Sequence, residues 1–160
     1  MTGGAGDQIT EAAVRRLVRD WFAALDRHDD VEVLLGLLTT AGLVMHLPQR
    51  TVRSHDDFRS WYDDNISTYF DEVHEVLDVK VAATSPLHAE VSLRVNWQSR
   101  MWVPPSPNSA WVGLTTKETW SVVTRDGRPK IRTYTVGGST PMPGSAAPRA
   151  TESAHESAAA

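Results

Sequence analysis

The chain has 160 residues, 41% of them hydrophobic, with six tryptophans and a formal charge of -4. That length suits one domain plus tails and that apolar share suits a buried core, while the acidic balance argues against a broad nucleic-acid-binding face. The chain has no cysteine, which rules out disulfides, thiol nucleophiles and cysteine-ligated metals and fits a cytoplasmic protein. The opening "MTGGAGDQIT" has neither the basic nor the apolar region of an export signal, and no apolar run reaches the roughly 18 residues of a membrane span.

In chain order, residues 1–8 are expected to be flexible. Val14, Leu17, Val18, Trp21, Phe22 and Leu25 recur at helical spacing and predict an amphipathic helix capped by Thr10. Ile9 and Val14 have the spacing of a hydrophobic staple. A second helix opens after Asp29 or Asp30, with Val31, Leu34, Leu35 and Leu38 as its apolar side. "LVMHL" predicts a short strand that Pro48 ends. A third helix opens at Ser54 and buries Phe58, Trp61, Tyr62, Ile66, Tyr69 and Phe70.

After residue 71 the period changes. "VHEVLDVKVAAT" predicts a strand, and "AEVSLRVNWQSRMWV" alternates, with Val91, Leu93, Val95 and Trp97 on one face and Arg94, Asn96, Gln98 and Arg100 on the other. "AWVGLTTKETWSVVT" and "PKIRTYTV" are joined by Asp126-Gly127, a two-residue hairpin signal. From Gly137 the chain is rich in Gly, Ser, Pro and Ala and is expected to be disordered through 160. Helices first and antiparallel strands second is an α+β order.

This order resembles the NTF2-like superfamily, and within it the SnoaL-like group, over roughly residues 9–136. The resemblance is carried by "RDWFAALDRHD", "RSHDDFRSWYDDN", "VHEVLDVKV" and "ETWSVVTRDGRPKI". It implies a cone-shaped α+β barrel, with three N-terminal helices packed on a curved, mainly antiparallel sheet, commonly a homodimer through the outer sheet face. Where Pro129 stands the family usually has Trp, which implies a changed sheet edge. Members include cyclases, isomerases, dehydratases and plain binding modules, so the fold fixes no chemistry.

The candidate catalytic residues are His74, Asp78, His46 and Tyr62. An inward His74 beside a carboxylate suits a general base that abstracts a proton next to a carbonyl. Strict alternation puts His74, Val76 and Asp78 on one face and Val73, Leu77, Val79 and Val81 on the other, and a bulge near Asp78, which the family pattern favours, lets both Asp78 and then Val79 and Val81 point inward. His46 is either a polar pocket group or a core histidine. Tyr62 can donate its hydroxyl to an oxyanion. Trp21, Trp61, Val76 and Trp97 are candidate walls for an apolar or aromatic ligand, or else core. The bland reading of His74 is a histidine bonded to backbone at a strand start.

The histidines show no metal-ligand spacing, and "TGGAG" follows no strand, so no metal, nucleotide or other cofactor is expected. The functional expectation is a small cofactor-independent enzyme acting on a cyclic or polyketide-like carbonyl compound. The alternatives are a non-catalytic small-molecule binder and a dimeric interaction module.

Overall fold

The structure is a computed structural model that describes residues 8–148. Helix α1 (Glu11–Arg27) starts where the Thr10 side chain accepts from Ala13 N–H, and it ends at His28, whose left-handed backbone lets its N–H reach Ala24 and Leu25 carbonyls. Helix α2 (Val31–Leu35) is capped by Asp30, and α3 (His55–Thr68) by Ser54.

Six strands follow the order β2-β1-β6-β5-β4-β3 in one open sheet. They are β1 (Val44–His46), β2 (Thr51–Val52), β3 (Tyr69–Ser85), β4 (His88–Met101), β5 (Ala110–Arg125) and β6 (Arg128–Pro141). β1 runs parallel to β6, and every other pairing is antiparallel. The helices cover one face. Trp21 of α1 meets Phe58 of α3, Trp120 of β5 and Tyr134 of β6 at ring-centroid distances of 5.7, 6.3 and 5.8 Å. These rings are buried, and burying each contributes roughly 1.5–3 kcal/mol. The result is the expected α+β cone, with a mixed sheet that does not close.

Two boundaries differ from the sequence reading. Tyr69 and Phe70 were expected at the end of α3 but begin β3, because Tyr69 and Phe70 pair with Met101 and Arg100 across the sheet. Asp71 takes a positive φ of 53° and absorbs the change of direction. At the other end, β6 runs on through Gly137–Pro141, where expected disorder is replaced by pairing with Leu114, Thr115 and Thr116. Met142 and Ala146 then donate backbone hydrogen bonds to Gly113 and Trp111. Gly113 makes room for this segment, since a Cβ there would lie 2.8 Å from Met142 Sδ and 2.6 Å from the Trp111 ring. The expected disorder at 1–7 and 149–160 lies outside the described residues. Pro129 sits opposite Thr124 near the start of β6, ahead of Ile131, where Leu38 joins that strand by an isolated bridge.

Candidate functional site

The C-terminal turn of α1 lies against the start of β3, and two histidine–carboxylate pairs cross between them. Asp26 Oδ1 is 2.6 Å from His74 Nδ1, and His28 Nε2 is 2.6 Å from Glu72 Oε2. The His74 main-chain N–H also donates to both Asp26 oxygens, at 3.0 Å each. A carboxylate only accepts, so Nδ1 carries the proton of the neutral ring. Nε2 keeps its lone pair and makes no hydrogen bond among the described residues. The His74 ring lies between Phe22 and Trp97, with centroids at 5.0 and 6.4 Å. Its side chain is 13% exposed and that of Asp26 is 25% exposed, so the pair is partly shielded from water.

Glu72 is the more deeply buried carboxylate, its side chain 2% exposed. Besides His28 it accepts from Trp97 Nε1 at 3.0 Å and, more weakly, from Asn65 Nδ2 at 3.5 Å. This network ties α1, α3, β3 and β4 together beside His74. It also holds the Trp97 indole, which stacks edge-on to Tyr69 at 4.9 Å.

A third carboxyl faces the interior farther along the sheet. Glu118 of β5 is buried, and burial pushes its carboxyl up from the ordinary range. Hydrogen bonds from Tyr134, Trp120 and Thr116, and the nearby His74, partly offset that push. The contacts from Thr116 Oγ1 and Trp120 Nε1 measure 3.0 and 3.3 Å. Burial, with Glu118 beside it, raises the Tyr134 phenol well above its usual value. Val76, Trp97, Thr116 and Val136, around the Glu118 and His74 positions, are part-buried.

The expected site residues divide. His74, Val76 and Trp97 share the inner face near Asp26. A register shift between Val76 and Asp78 supplies the expected bulge, but it turns Asp78 outward. Asp78 is exposed opposite Arg94, and Val79 returns to the inner face opposite buried Leu93. The carboxylate behind His74 is therefore Asp26, not Asp78. His46 is exposed on β1, next to buried Met45, with Thr51 Oγ1 at 3.5 Å from its Nδ1. It is not core, and β6, β5 and β4 lie between its strand and that of His74 in the sheet order. Tyr62 is buried, and its hydroxyl donates to the Asp29 carbonyl at 2.6 Å. Burial and the neighbouring carboxylates push that phenol up to about 12, so its proton is held in a structural bond between α3 and the α1–α2 turn. Trp21 is core, and Trp61 is part-buried against Phe58 at 5.5 Å.

Asp26, His28, Glu72 and Glu118 were not among the expected site residues. Asp26 lies four residues after Phe22, on the continuation of the apolar stripe of α1. A carboxylate placed on a stripe that faces the core is the signal that could have found it. No group of three or more His, Asp or Glu side chains suited to a metal ion occurs among the described residues. No helix among them is long and apolar enough to cross a membrane.

No family model and no curated protein matches the sequence. Solved structures do match. A proposed scytalone dehydratase from Novosphingobium aromaticivorans is 18% identical, with a TM-score of 0.67 over 87% of this chain and 89% of that one. A proposed dehydratase of the NTF2-like family from Streptomyces avermitilis is 18% identical, with a TM-score of 0.67 over 82% and 95%. A hexachlorocyclohexane dehydrochlorinase, LinA type 2, is 15% identical, with a TM-score of 0.66 over 86% and 92%. These likenesses establish the fold alone: the chain has the α+β cone fold of these proteins.

Proposed function

We propose that the protein is a small cofactor-independent enzyme that removes a proton from a carbon acid, next to a carbonyl or a leaving group, and so drives elimination, isomerisation or cyclisation. The observation that carries this reading is the Asp26–His74 pair. Asp26 holds Nδ1–H, so Nε2 is the base, and the carboxylate stabilises the imidazolium that forms when Nε2 takes the proton. A plain binding role needs no carboxylate behind the ring. Glu118, pushed toward its neutral acid, supplies a potential proton donor on the same inner face. The part-buried Val76, Trp97 and Val136 suit an apolar, cyclic, carbonyl-bearing substrate, of the polyketide-like kind among others. Two of the similar folds carry the names of eliminating enzymes, a dehydratase and a dehydrochlorinase, which agrees with base-driven elimination.

The outer sheet face is the proposed homodimer surface. It exposes Val73 and Leu77, at 58% and 40%, on the strand that pairs with Arg94 and Gln98. The catalytic reading is tested by NMR-detected exchange of acidic C–H for deuterium in D2O across a panel of cyclic ketones. Exchange catalysed by the native protein should fall by about 10²-fold or more in His74→Gln. A verified exchange that survives this replacement overturns the assignment.

A further inference from the structure

At the opposite end of the strands from His74, the β5–β6 hairpin and the loop before β1 border a half-open cleft of about 530 Å³, whose lining includes Thr39, Thr40, Arg125, Asp126, Arg128 and Lys130. That volume lies in the range of small-molecule sites. Its charge runs against the acidic whole. Arg125 and Arg128 are direct cross-strand partners flanking the turn, and like charges placed so repel each other. Lys130 is two residues beyond Arg128 on the same strand and lines the same cleft. Among the described residues none of the three cations forms an ion pair, not even with Asp126, which lines the same cleft. On the opposite wall, Thr39 is 4% exposed, and its hydroxyl has no hydrogen-bond partner. The wall itself is fixed, because Thr39 N–H donates to the Ile131 carbonyl at 2.9 Å and the Thr39 carbonyl accepts from His55 Nε2 at 3.1 Å.

We propose that this cleft is a binding site for a phosphate group, free or carried by a small molecule, held by Arg125, Arg128 and Lys130. A dianionic oxyanion relieves the repulsion between the two arginines and accepts their planar N–H pairs. The cleft is larger than a bare ion needs, which leaves room for the body of a phosphorylated molecule. The site is independent of the His74 chemistry.

The test is an amide-resolved NMR titration with inorganic phosphate, with ribose 5-phosphate, and with sodium chloride at matched ionic strength. The expected result is saturable shifts confined to residues 38–41 and 125–130 with the phosphates and not with chloride. Binding should weaken at least tenfold in Arg128→Gln and further in Arg125→Gln/Arg128→Gln. Both arginines are exposed, so these variants should fold, and an unchanged amide spectrum elsewhere checks that they do. Tighter binding of ribose 5-phosphate assigns the site to phosphorylated molecules, and equal binding assigns it to the free anion. Phosphate shifts that match chloride, or that persist unchanged in the double variant, overturn the proposal.

Discussion

Asp26 and His74 are 48 residues apart in sequence, yet one carboxylate takes both the ring and the main-chain N–H of the same histidine. The double contact fixes the ring and its strand to the end of α1. Asp26→Asn should therefore do more than weaken a contact, because the amide can present its NH2 to Nδ1 and reverse the tautomer. Any base-catalysed activity should fall by about 10²-fold or more, with the thermal unfolding profile still cooperative. Kinetics on a substrate found by the exchange screen check this, and an unimpaired Asp26→Asn enzyme would contradict it.

Glu72 should matter to stability more than its distance from the sheet centre suggests. It is buried, and it satisfies His28, Trp97 and Asn65. Glu72→Ala leaves three part-buried donors without this acceptor, at a cost of roughly 1.5–3 kcal/mol. At about 2–4 °C per kcal/mol for a domain of this size, the melting temperature should drop clearly. A drop below about 2 °C in scanning calorimetry would show that the network carries little of the fold.

Glu118 predicts a pH dependence with a definite sign. Its carboxyl is raised in the folded state above the ordinary 4.5, so between those values the folded protein binds more protons than the unfolded chain. That contribution to stability is full below about pH 4.5 and is lost as pH rises through the folded value. Glu118→Gln removes it, so the stability difference between variant and native protein should shift in the variant's favour as pH rises. Urea unfolding of both proteins from pH 4 to pH 8 tests this, and parallel pH curves would contradict it.

Tyr62→Phe should separate structure from chemistry. The hydroxyl bonds the Asp29 carbonyl, so its loss should cost about 1 kcal/mol and leave the His74-dependent exchange rate within a few-fold. A loss of exchange as deep as that of His74→Gln would return Tyr62 to the catalytic group.

The scaffold was legible in the sequence because its signals are local. The Thr10, Asp30 and Ser54 caps, the α1 stripe, the alternation of Val91, Leu93 and Val95, and the Asp126-Gly127 turn all sit where patterning places them. The facing of His74 was open in the sequence, but its place at the start of β3 was legible for the same reason. Its partner was not, because the choice between Asp26 and Asp78 depends on a one-residue shift at Leu77 and on how α1 crosses β3. Such a shift reverses the facing of every later residue on the strand. The extension of β6 past Gly137 was hidden because composition favoured a tail, whereas the unpaired edge of Leu114–Thr116 recruits it.

Asp26 holds His74 with a free Nε2 lone pair, and everything proposed for the site depends on it. The most direct measurement is the ring ¹⁵N shifts of His74, from long-range ¹H–¹⁵N correlation at a pH where the ring is neutral, in the native protein and in Asp26→Asn. The native protein should show a protonated Nδ1 and an unprotonated Nε2, and the variant a changed tautomer balance. A native ring protonated on Nε2, or shifts that ignore the Asp26 replacement, would contradict it.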